Sequence, residues 1–246
     1  MGYHESLTEG RNAVLEAFRS GKTVDRLFVL DGCQDGPVKT ILREAKKQDT
    51  MVQYVKKERL DQLSETKNHQ GVIAYCAACE YAEVSDILEN AKKKGEAPFI
   101  VLLDGIEDPH NLGAIIRTAN QAGAHGVIIP KRRAVGLTAT VARTSAGAVN
   151  YTPVVKVTNL VTVMEDLKKE GMWFVCADMD GEEMYSLNLK GPIGLVIGNE
   201  GEGVSRLVKE HCDMVASIPM KGDIDSLNAS VAMGVLAYEI VRQRRF

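Results

Sequence analysis

Four short apolar runs constrain the fold of this chain more than any other feature of its sequence. They lie at residues 99–103, 126–129, 173–177 and 193–197, and helical patterns occur around residues 112–122, 158–170, 204–210 and 226–241. Strands that are apolar on both faces and separated by helices are typical of a largely parallel sheet covered by helices. The sequence therefore predicts an α/β fold, whose ligands would bind beyond the carboxyl ends of the strands.

A smaller α/β pattern precedes these runs. Periodicity predicts helices over residues 12–20, 38–47 and 60–63, and strands over residues 26–30, 51–55 and 72–77. A further helix is expected over residues 86–94, and the charged stretch that follows has the composition of a linker. A chain of 246 residues is long enough for two domains. We therefore predict a domain over residues 1–79, a linker over 80–97 and a second domain over 98–246.

Charge and cysteine content limit the classes of function. The chain has 30 Lys+Arg against 33 Asp+Glu, so any RNA binding must come from local basic patches such as Lys131, Arg132 and Arg133. Five cysteines, an odd number, do not form a disulfide framework, and Cys76 and Cys79 lack the second pair that a zinc site needs. With no secretory pattern and no apolar run near the roughly 18 residues of a membrane span, a cytoplasmic protein without a metal is expected.

The stretch 104–119 runs from a polar loop into an amphipathic helix. Its apolar side chains share one helical face: Leu112, Ile115, Ile116 and Ala119. Arg117 lies roughly opposite that face, so it points towards solvent, a ligand or a partner subunit. Asn111 stands where a helix N-cap is expected, and capping alone would account for it.

Two further stretches each pass from an apolar run through a loop of small residues into a helix. In the first, Gly198, Gly201 and Gly203 surround Glu200. Such a loop is about as often a tight turn as a ligand site, and the carboxylate at its centre favours the ligand site. In the second, an almost wholly apolar helix begins near Asn228, and Ser226 is a candidate N-cap. Both stretches would present backbone N–H groups at a helix start, where polar ligand groups bind readily.

These three stretches, in this order, resemble the three motifs of the SpoU (TrmH-type) methyltransferases. The resemblance rests on Asn-Leu-Gly-Ala-Ile-Ile-Arg-Thr-Ala (111–119, first motif), Leu-Val-Ile-Gly-Asn-Glu-Gly-Glu-Gly-Val-Ser (195–205, second motif) and Ile-Pro-Met-Lys-Gly-Asp-Ile-Asp-Ser-Leu-Asn-Ala-Ser-Val-Ala (218–232, third motif). That family transfers a methyl group from S-adenosylmethionine to a ribose 2′-hydroxyl of RNA. The resemblance implies a catalytic domain with a deep trefoil knot that works as a homodimer.

Residues 68–74, Asn-His-Gln-Gly-Val-Ile-Ala, resemble the end of the small ribosomal-protein-like RNA-binding domain of one branch of the family. That branch includes methyltransferases of a guanosine in large-subunit ribosomal RNA, so the resemblance implies this substrate. Two alternatives stay open: a transfer RNA substrate, or a non-catalytic RNA-binding or ribosome-assembly factor with a relic fold. Intact motif residues favour the enzyme over the assembly factor.

Site residues follow from the resemblance position by position. The implied catalytic set is Asn111, Arg117, Glu200, Ser226 and Asn228. The implied S-adenosylmethionine contacts are Ile197, Gly198, Gly201, Ile218, Pro219, Met220 and Leu227. The expected RNA contacts are His69 and Gln70, which precede a glycine, together with the basic residues 131–133. A guanidinium stays protonated, so we expect Arg117 to bind phosphate and stabilise the developing alkoxide, while Ser226, Asn228 or water relays the proton.

Overall fold

The computed structural model of the chain describes residues 6–223 and 226–246. The chain divides into two compact units, one of residues 1–80 with 136–139 and the other of residues 81–135 with 140–246. Within the described residues, no helix has both the length and the apolar character needed to cross a bilayer. The two α/β patterns of the sequence thus correspond to separate units.

The first unit is a four-stranded mixed sheet with helices. Its elements are β1 (Ser6–Glu9), α1 (Arg11–Arg19), β2 (Val24–Leu30), α2 (Gly36–Lys47), β3 (Met51–Val55), α3 (Lys57–Leu63) and β4 (Val72–Cys76). The strand order is β1-β4-β2-β3, with only β2 and β3 parallel. Val14, Leu27 and Ile41 are fully buried between the sheet and the helices α1 and α2. All the predicted elements are confirmed, and β1 was missed because Leu7 is its only large apolar residue.

The second unit is a six-stranded sheet in which all neighbouring strands are parallel. Its first elements are α4 (Val84–Lys94), β5 (Phe99–Asp104), α5 (Pro109–Gln121), β6 (Gly126–Pro130), α6 (Ala139–Thr144), β7 (Val154–Val157) and α7 (Leu160–Lys169). The remaining elements are β8 (Trp173–Glu183), β9 (Ile193–Gly198), α8 (Arg206–Glu210), β10 (Met214–Ser217) and α9 (Ala229–Arg245). The strand order is β10-β8-β9-β5-β6-β7, which confirms the predicted parallel α/β fold.

The strand order brings distant parts of the sequence together at one edge of the sheet. Strand β9 pairs with β5 on one side and β8 on the other, so Gly198 lies opposite Asp104. Burial on both faces explains the apolar runs, since β5 is buried from Phe99 to Leu103 and β9 along its whole length. The loop after β5 leads into helix α5, which carries the first motif, and the loop after β9 carries most of the second motif. Strand order does not test the predicted knot, which stays a prediction.

The predicted linker over residues 80–97 is wrong. Most of this segment is helix α4, and Ile87 and Ala91 of that helix are buried in the second unit. A Cβ at Gly126 would lie 2.4 Å from the Ile87 side chain, so the glycine makes room for this packing. The lysines that suggested a linker lie at the exposed end of the helix, which stops at Gly95 in a left-handed conformation. The boundary between the units therefore falls near residue 80.

Candidate active site

The three motifs meet at the carboxylate of Glu200. Its Oε1 accepts hydrogen bonds from Asn111 Nδ2 at 3.1 Å, from the backbone N of Ala229 at 3.3 Å and from Asn228 Nδ2. Asn228 Nδ2 also donates to Asn111 Oδ1 at 3.0 Å. Three of the five predicted catalytic residues therefore form one network, which we call the Glu200 network (Asn111, Glu200, Asn228).

Helix capping explains why these asparagines can reach Glu200, and it corrects two predictions. Asp108, not Asn111, caps α5, because its carboxylate accepts the backbone N–H groups of His110 and Asn111 at 3.1 and 3.3 Å. The amide of Asn111 lies in the first helical turn and points to the second motif instead. Asn228, not Ser226, caps α9. Each amide is thus placed by the start of a helix.

Both polar atoms of the Asn228 side chain are already in use. Its Oδ1 accepts from Ser230 N at 3.0 Å, Ser230 Oγ at 2.6 Å and Val231 N at 3.4 Å, while its Nδ2 belongs to the Glu200 network. Ser226 is exposed, and its hydroxyl makes no hydrogen bond with any residue that the structure describes. The geometry therefore indicates a positioning role for Asn228.

The glycine-rich loop between β9 and α8 is folded back on itself. A Cβ at Gly198 would lie 2.0 Å from the carbonyl carbon of Gly203, so no larger residue fits there. Asn199 Oδ1 accepts the backbone N–H groups of Gly201 and Glu202 at 2.9 and 2.6 Å. Asp104 Oδ2 accepts the backbone N–H of Ser205 at 2.8 Å and joins the end of the loop to strand β5.

A cavity of about 680 Å³ lies beside this loop. Its walls come from the ends of β9 and β10, the loop, the start of α9 and part of β8. The lining includes all seven predicted cofactor contacts, namely Ile197, Gly198, Gly201, Ile218, Pro219, Met220 and Leu227, together with Glu200 and Ser226. The volume is within the range of small-molecule and cofactor sites. The residues present therefore fit a ligand of nucleoside size.

The charge of the lining suits a cation. The described lining residues include five carboxylates and no lysine or arginine: Asp178, Asp180, Glu183, Glu200 and Glu202. A cleft lined by one sign of charge favours ligands of the opposite sign. S-adenosylmethionine carries a positive sulfonium centre, so this lining matches the predicted cofactor.

Arg117 is the predicted catalytic residue that the structure does not bring into the Glu200 network. Its side chain is exposed on α5, as the helical pattern predicted, and it makes no hydrogen bond or ion pair within residues 6–223 and 226–246. It follows Asn111 by six positions, which is about 9 Å along a helix. Arg132 and Arg133 are exposed after β6, while Lys131 is partly buried.

The two RNA contacts predicted at residues 69–70 differ in their exposure to solvent. His69 is only 7% exposed, its Nδ1 accepts the backbone N–H of Gly71 at 3.0 Å, and its Nε2 donates to Asp61 at 3.0 Å. Both ring nitrogens are hydrogen-bonded within the first unit, so the geometry favours a structural role for His69 over the predicted RNA contact. Gln70 is exposed, and Arg11 fixes it by donating its backbone N–H to Gln70 Oε1 at 3.2 Å.

Three residues that shape the site were missed by sequence reasoning: Asp104, Asp108 and Asn199. Each has a recognisable signal, since Asp104 ends a buried strand, Asp108 precedes the Pro109 at a helix start, and Asn199 lies between a strand and glycines. Asp and Asn at such positions commonly accept backbone N–H groups. Their effect here is to hold the motif loops in place.

A parallel sheet with a cavity of cofactor size at its strand ends defines a class of α/β enzymes that bind a small cofactor there. Comparison with known proteins is more specific. Residues 98–238 match the SpoU rRNA Methylase family, and residues 7–82 match a domain described as RNA 2′-O ribose methyltransferase substrate binding.

Individual proteins agree with this match. The chain is 48% identical to YacO of Bacillus subtilis, assigned to the TrmH family of tRNA/rRNA methyltransferases, over 96% of this chain and 94% of that protein. It resembles an rRNA methyltransferase from Sinorhizobium meliloti with bound AdoMet, at 25% identity and a TM-score of 0.60, over 96% of this chain and 86% of that one. A TrmH/SpoU tRNA modifying enzyme of A. aeolicus aligns at 28% identity and a TM-score of 0.56, over 65% of this chain and 84% of that one.

The chain therefore belongs to the SpoU rRNA methylase family. It is an RNA 2′-O-ribose methyltransferase of the TrmH type, and S-adenosylmethionine is its methyl donor.

Proposed function

We propose that this enzyme methylates the ribose 2′-hydroxyl of a guanosine in large-subunit ribosomal RNA. One observation supports ribosomal RNA as the substrate. The similarity to the rRNA methyltransferase from Sinorhizobium meliloti extends over 96% of this chain and hence over both units. The similarity to the tRNA modifying enzyme of A. aeolicus covers only 65% of this chain. The first unit, which matches a substrate-binding domain, would then select the RNA. The guanosine follows from the family branch that residues 68–74 resemble.

A transfer RNA substrate is the second candidate. It is favoured by the relative from Bacillus subtilis, whose family assignment includes both kinds of RNA. We rank it lower because the tRNA modifying enzyme aligns with too little of this chain to include all of both units. In either case the reaction would take place in the cytoplasm, where the RNA is.

Roles for the catalytic residues follow from their geometry. S-adenosylmethionine, held in the cavity, supplies a methyl group on a sulfonium centre. The Glu200 network joins the motif loops and so orients the 2′-hydroxyl that must approach this centre in line. The Ser226 hydroxyl, or a water molecule beside it, relays the proton of the attacking hydroxyl to solvent. Arg117 binds the neighbouring phosphate and stabilises the developing alkoxide, since a guanidinium is a poor base.

A homodimer accounts for the position of Arg117. Helix α9 packs on α5, yet Val231 and Tyr238 of α9 remain 49% and 51% exposed. Apolar side chains exposed on a helix that borders the site indicate an interface with a second copy. A two-fold contact through α5 and α9 would bring Arg117 of one protomer to the cavity of its partner. The proposed RNA contacts are the basic residues Lys131, Arg132 and Arg133, together with Gln70.

Mapping of 2′-O-methylation tests the RNA class. Total RNA from cells with and without the protein would be compared by sequencing that detects 2′-O-methyl ribose, with Arg117→Ala protein as a matched control. The proposal expects one guanosine in large-subunit RNA to lose its methyl group both without the protein and with the variant. Loss at a transfer RNA position instead would replace the proposal by the second candidate.

A further inference from the structure

Strand β8 leaves its neighbour β10 for a short distance and then returns. Cys176 is paired with Val215, but the next pair is Glu182 with Ala216, so residues 177–181 have no partner on β10. We call these residues the β8 excursion (177–181). A Cβ at Gly181 would lie 2.5 Å from the carbonyl oxygen of Val215, so the strand rejoins β10 at a point that only glycine allows.

The β8 excursion forms one wall of the cofactor cavity. Ala177, Asp178, Met179 and Asp180 all line it, as does the glycine-rich loop. Met179 is 66% exposed, so burial in the core does not hold this wall in place. Some other interaction must fix it if the cavity is to keep its shape without a ligand.

An ion pair supplies that interaction. Lys209 Nζ on helix α8 donates to Asp178 Oδ2 at 2.7 Å, and Asp178 Oδ1 accepts the backbone N–H of Asp180 at 3.1 Å. Only 21% of the Asp178 side chain and 32% of the Lys209 side chain are exposed. Burial acts to raise the pKa of Asp178, but the hydrogen bonds from Lys209 and Asp180 outweigh it and leave that pKa below its ordinary value.

Helix α8 directly follows the glycine-rich loop, so the ion pair connects two walls of one cavity. We infer that Lys209 is a positioning residue for cofactor binding, which acts through Asp178 by holding the β8 excursion against α8. The inference rests on the assignment of the cavity to S-adenosylmethionine. Without the pair, the cofactor would have to order the wall when it binds, and that ordering lowers affinity.

The test compares two lysine-to-methionine variants by calorimetric titration with S-adenosylmethionine. Lys209→Met removes the proposed pair. Lys168→Met is a matched control, because Lys168 forms a similar ion pair with Asp213, at 2.9 Å and with 27% and 23% of the side chains exposed, and neither residue lines the cavity. We expect Kd to rise about tenfold in Lys209→Met, by loss of preorganisation, and to stay unchanged in Lys168→Met.

Kinetics separate positioning from a role in the chemistry. In Lys209→Met the KM for the cofactor should rise with Kd while kcat at saturating cofactor stays close to wild type. Lys209→Arg, which keeps the cation, should restore most of the affinity. If Lys209→Met folds poorly, Lys209→Gln, which removes the charge but keeps a polar side chain, takes its place and should show the same rise in Kd.

Each other outcome contradicts the inference. An unchanged Kd in folded Lys209→Met, or the same rise in Lys168→Met, would show that the pair has no specific effect on the cavity. Failure of folded Lys209→Arg to restore the affinity would also overturn it. If the wild-type protein itself bound no S-adenosylmethionine, the assignment of the cavity to this cofactor would be wrong, and the inference would fail with it. If the wild-type protein bound the cofactor but Lys209→Met had the same Kd, only the inference about Lys209 would be wrong.

Discussion

The side-chain amides of Asn111 and Asn228 are hydrogen-bonded at 3.0 Å although 117 positions separate them in the sequence. Both also donate to Oε1 of Glu200, which comes from a third segment. One carboxylate oxygen thus joins the starts of helices α5 and α9 to the glycine-rich loop. Positions of the first, second and third motifs are therefore interdependent.

Replacing Glu200 by alanine removes the acceptor that these donors share. Unfolding free energy should fall by about 1–3 kcal/mol, because Asn111 Nδ2 and the backbone N of Ala229 lose their acceptor and Asn228 Nδ2 loses one of its two. Methyl transfer should fall at least about tenfold as the motif loops separate. Thermal unfolding and a transfer assay measure the two effects. Glu202→Ala is the control, because Glu202 lies in the same loop and its carboxylate makes no hydrogen bond with a described residue. This variant should leave the unfolding temperature unchanged. Equal losses of stability in both variants would contradict the role of Glu200 as a shared acceptor.

Gly198 should be irreplaceable, since a Cβ there would lie 2.0 Å from backbone atoms of Gly203. Gly198→Ala must push the loop into the cavity or away from it, so S-adenosylmethionine binding should weaken by at least about tenfold. Calorimetric titration measures this loss. Gly191→Ala is the control, because nothing lies within 4 Å of the added Cβ. Normal binding by Gly198→Ala would show that the loop adopts another conformation.

Much of the fold could be predicted because buried strands and helices produce recognisable patterns of apolar residues in the sequence. Strand β5 is apolar from Phe99 to Leu103 and β9 along its whole length, and the cofactor residues inferred from the motifs line one cavity. The errors have local causes. The lysines at the end of α4 have the composition of a linker, although Ile87 of the same helix is buried. Several polar residues near the start of α5 could cap it, and the sequence does not show which of them accepts the backbone N–H groups. Short strands such as β7 and β10, and the β8 excursion, depend on pairing with distant residues and leave little periodic pattern.

Glu9 should make the stability of the first unit depend on pH. Its carboxylate accepts hydrogen bonds from Ser64 Oγ at 2.5 Å, Glu65 N at 2.7 Å and Thr66 Oγ1 at 2.8 Å. Burial opposes ionisation, but these bonds outweigh it and hold the pKa of Glu9 below its ordinary value of 4.5. A carboxyl whose folded pKa is lowered stabilises the protein above the unfolded pKa, and this stabilisation is lost as the pH falls through the folded pKa.

Glu9→Gln should therefore lower the unfolding free energy by about 1–2 kcal/mol at neutral pH, and the difference from wild type should shrink as the pH falls below 4.5. Urea unfolding across this pH range measures the effect. Glu16→Gln, at an exposed position of α1, is the control and should show no such trend. A constant difference between wild type and Glu9→Gln at every pH would contradict the explanation.

Arg117→Ala and Asn228→Ala proteins, each inactive alone, should regain activity when they are unfolded and refolded together. If Arg117 acts in the partner's site, about a quarter of the sites in a statistical mixture contain both intact residues. Transfer activity per protomer, with heterodimers verified by mass spectrometry of tagged chains, measures the recovery. No recovery in verified heterodimers would place the whole catalytic set within one protomer.

The most direct test of the account is the identity of the methylated atom. Purified protein would be incubated with S-adenosylmethionine labelled in its methyl group and with unmodified ribosomal RNA, and the RNA would then be digested to nucleosides. We expect label in a 2′-O-methyl nucleoside, with the signal at least about tenfold lower for Glu200→Ala. Label on a base, or equal label with the wild-type and Glu200→Ala proteins, would contradict it.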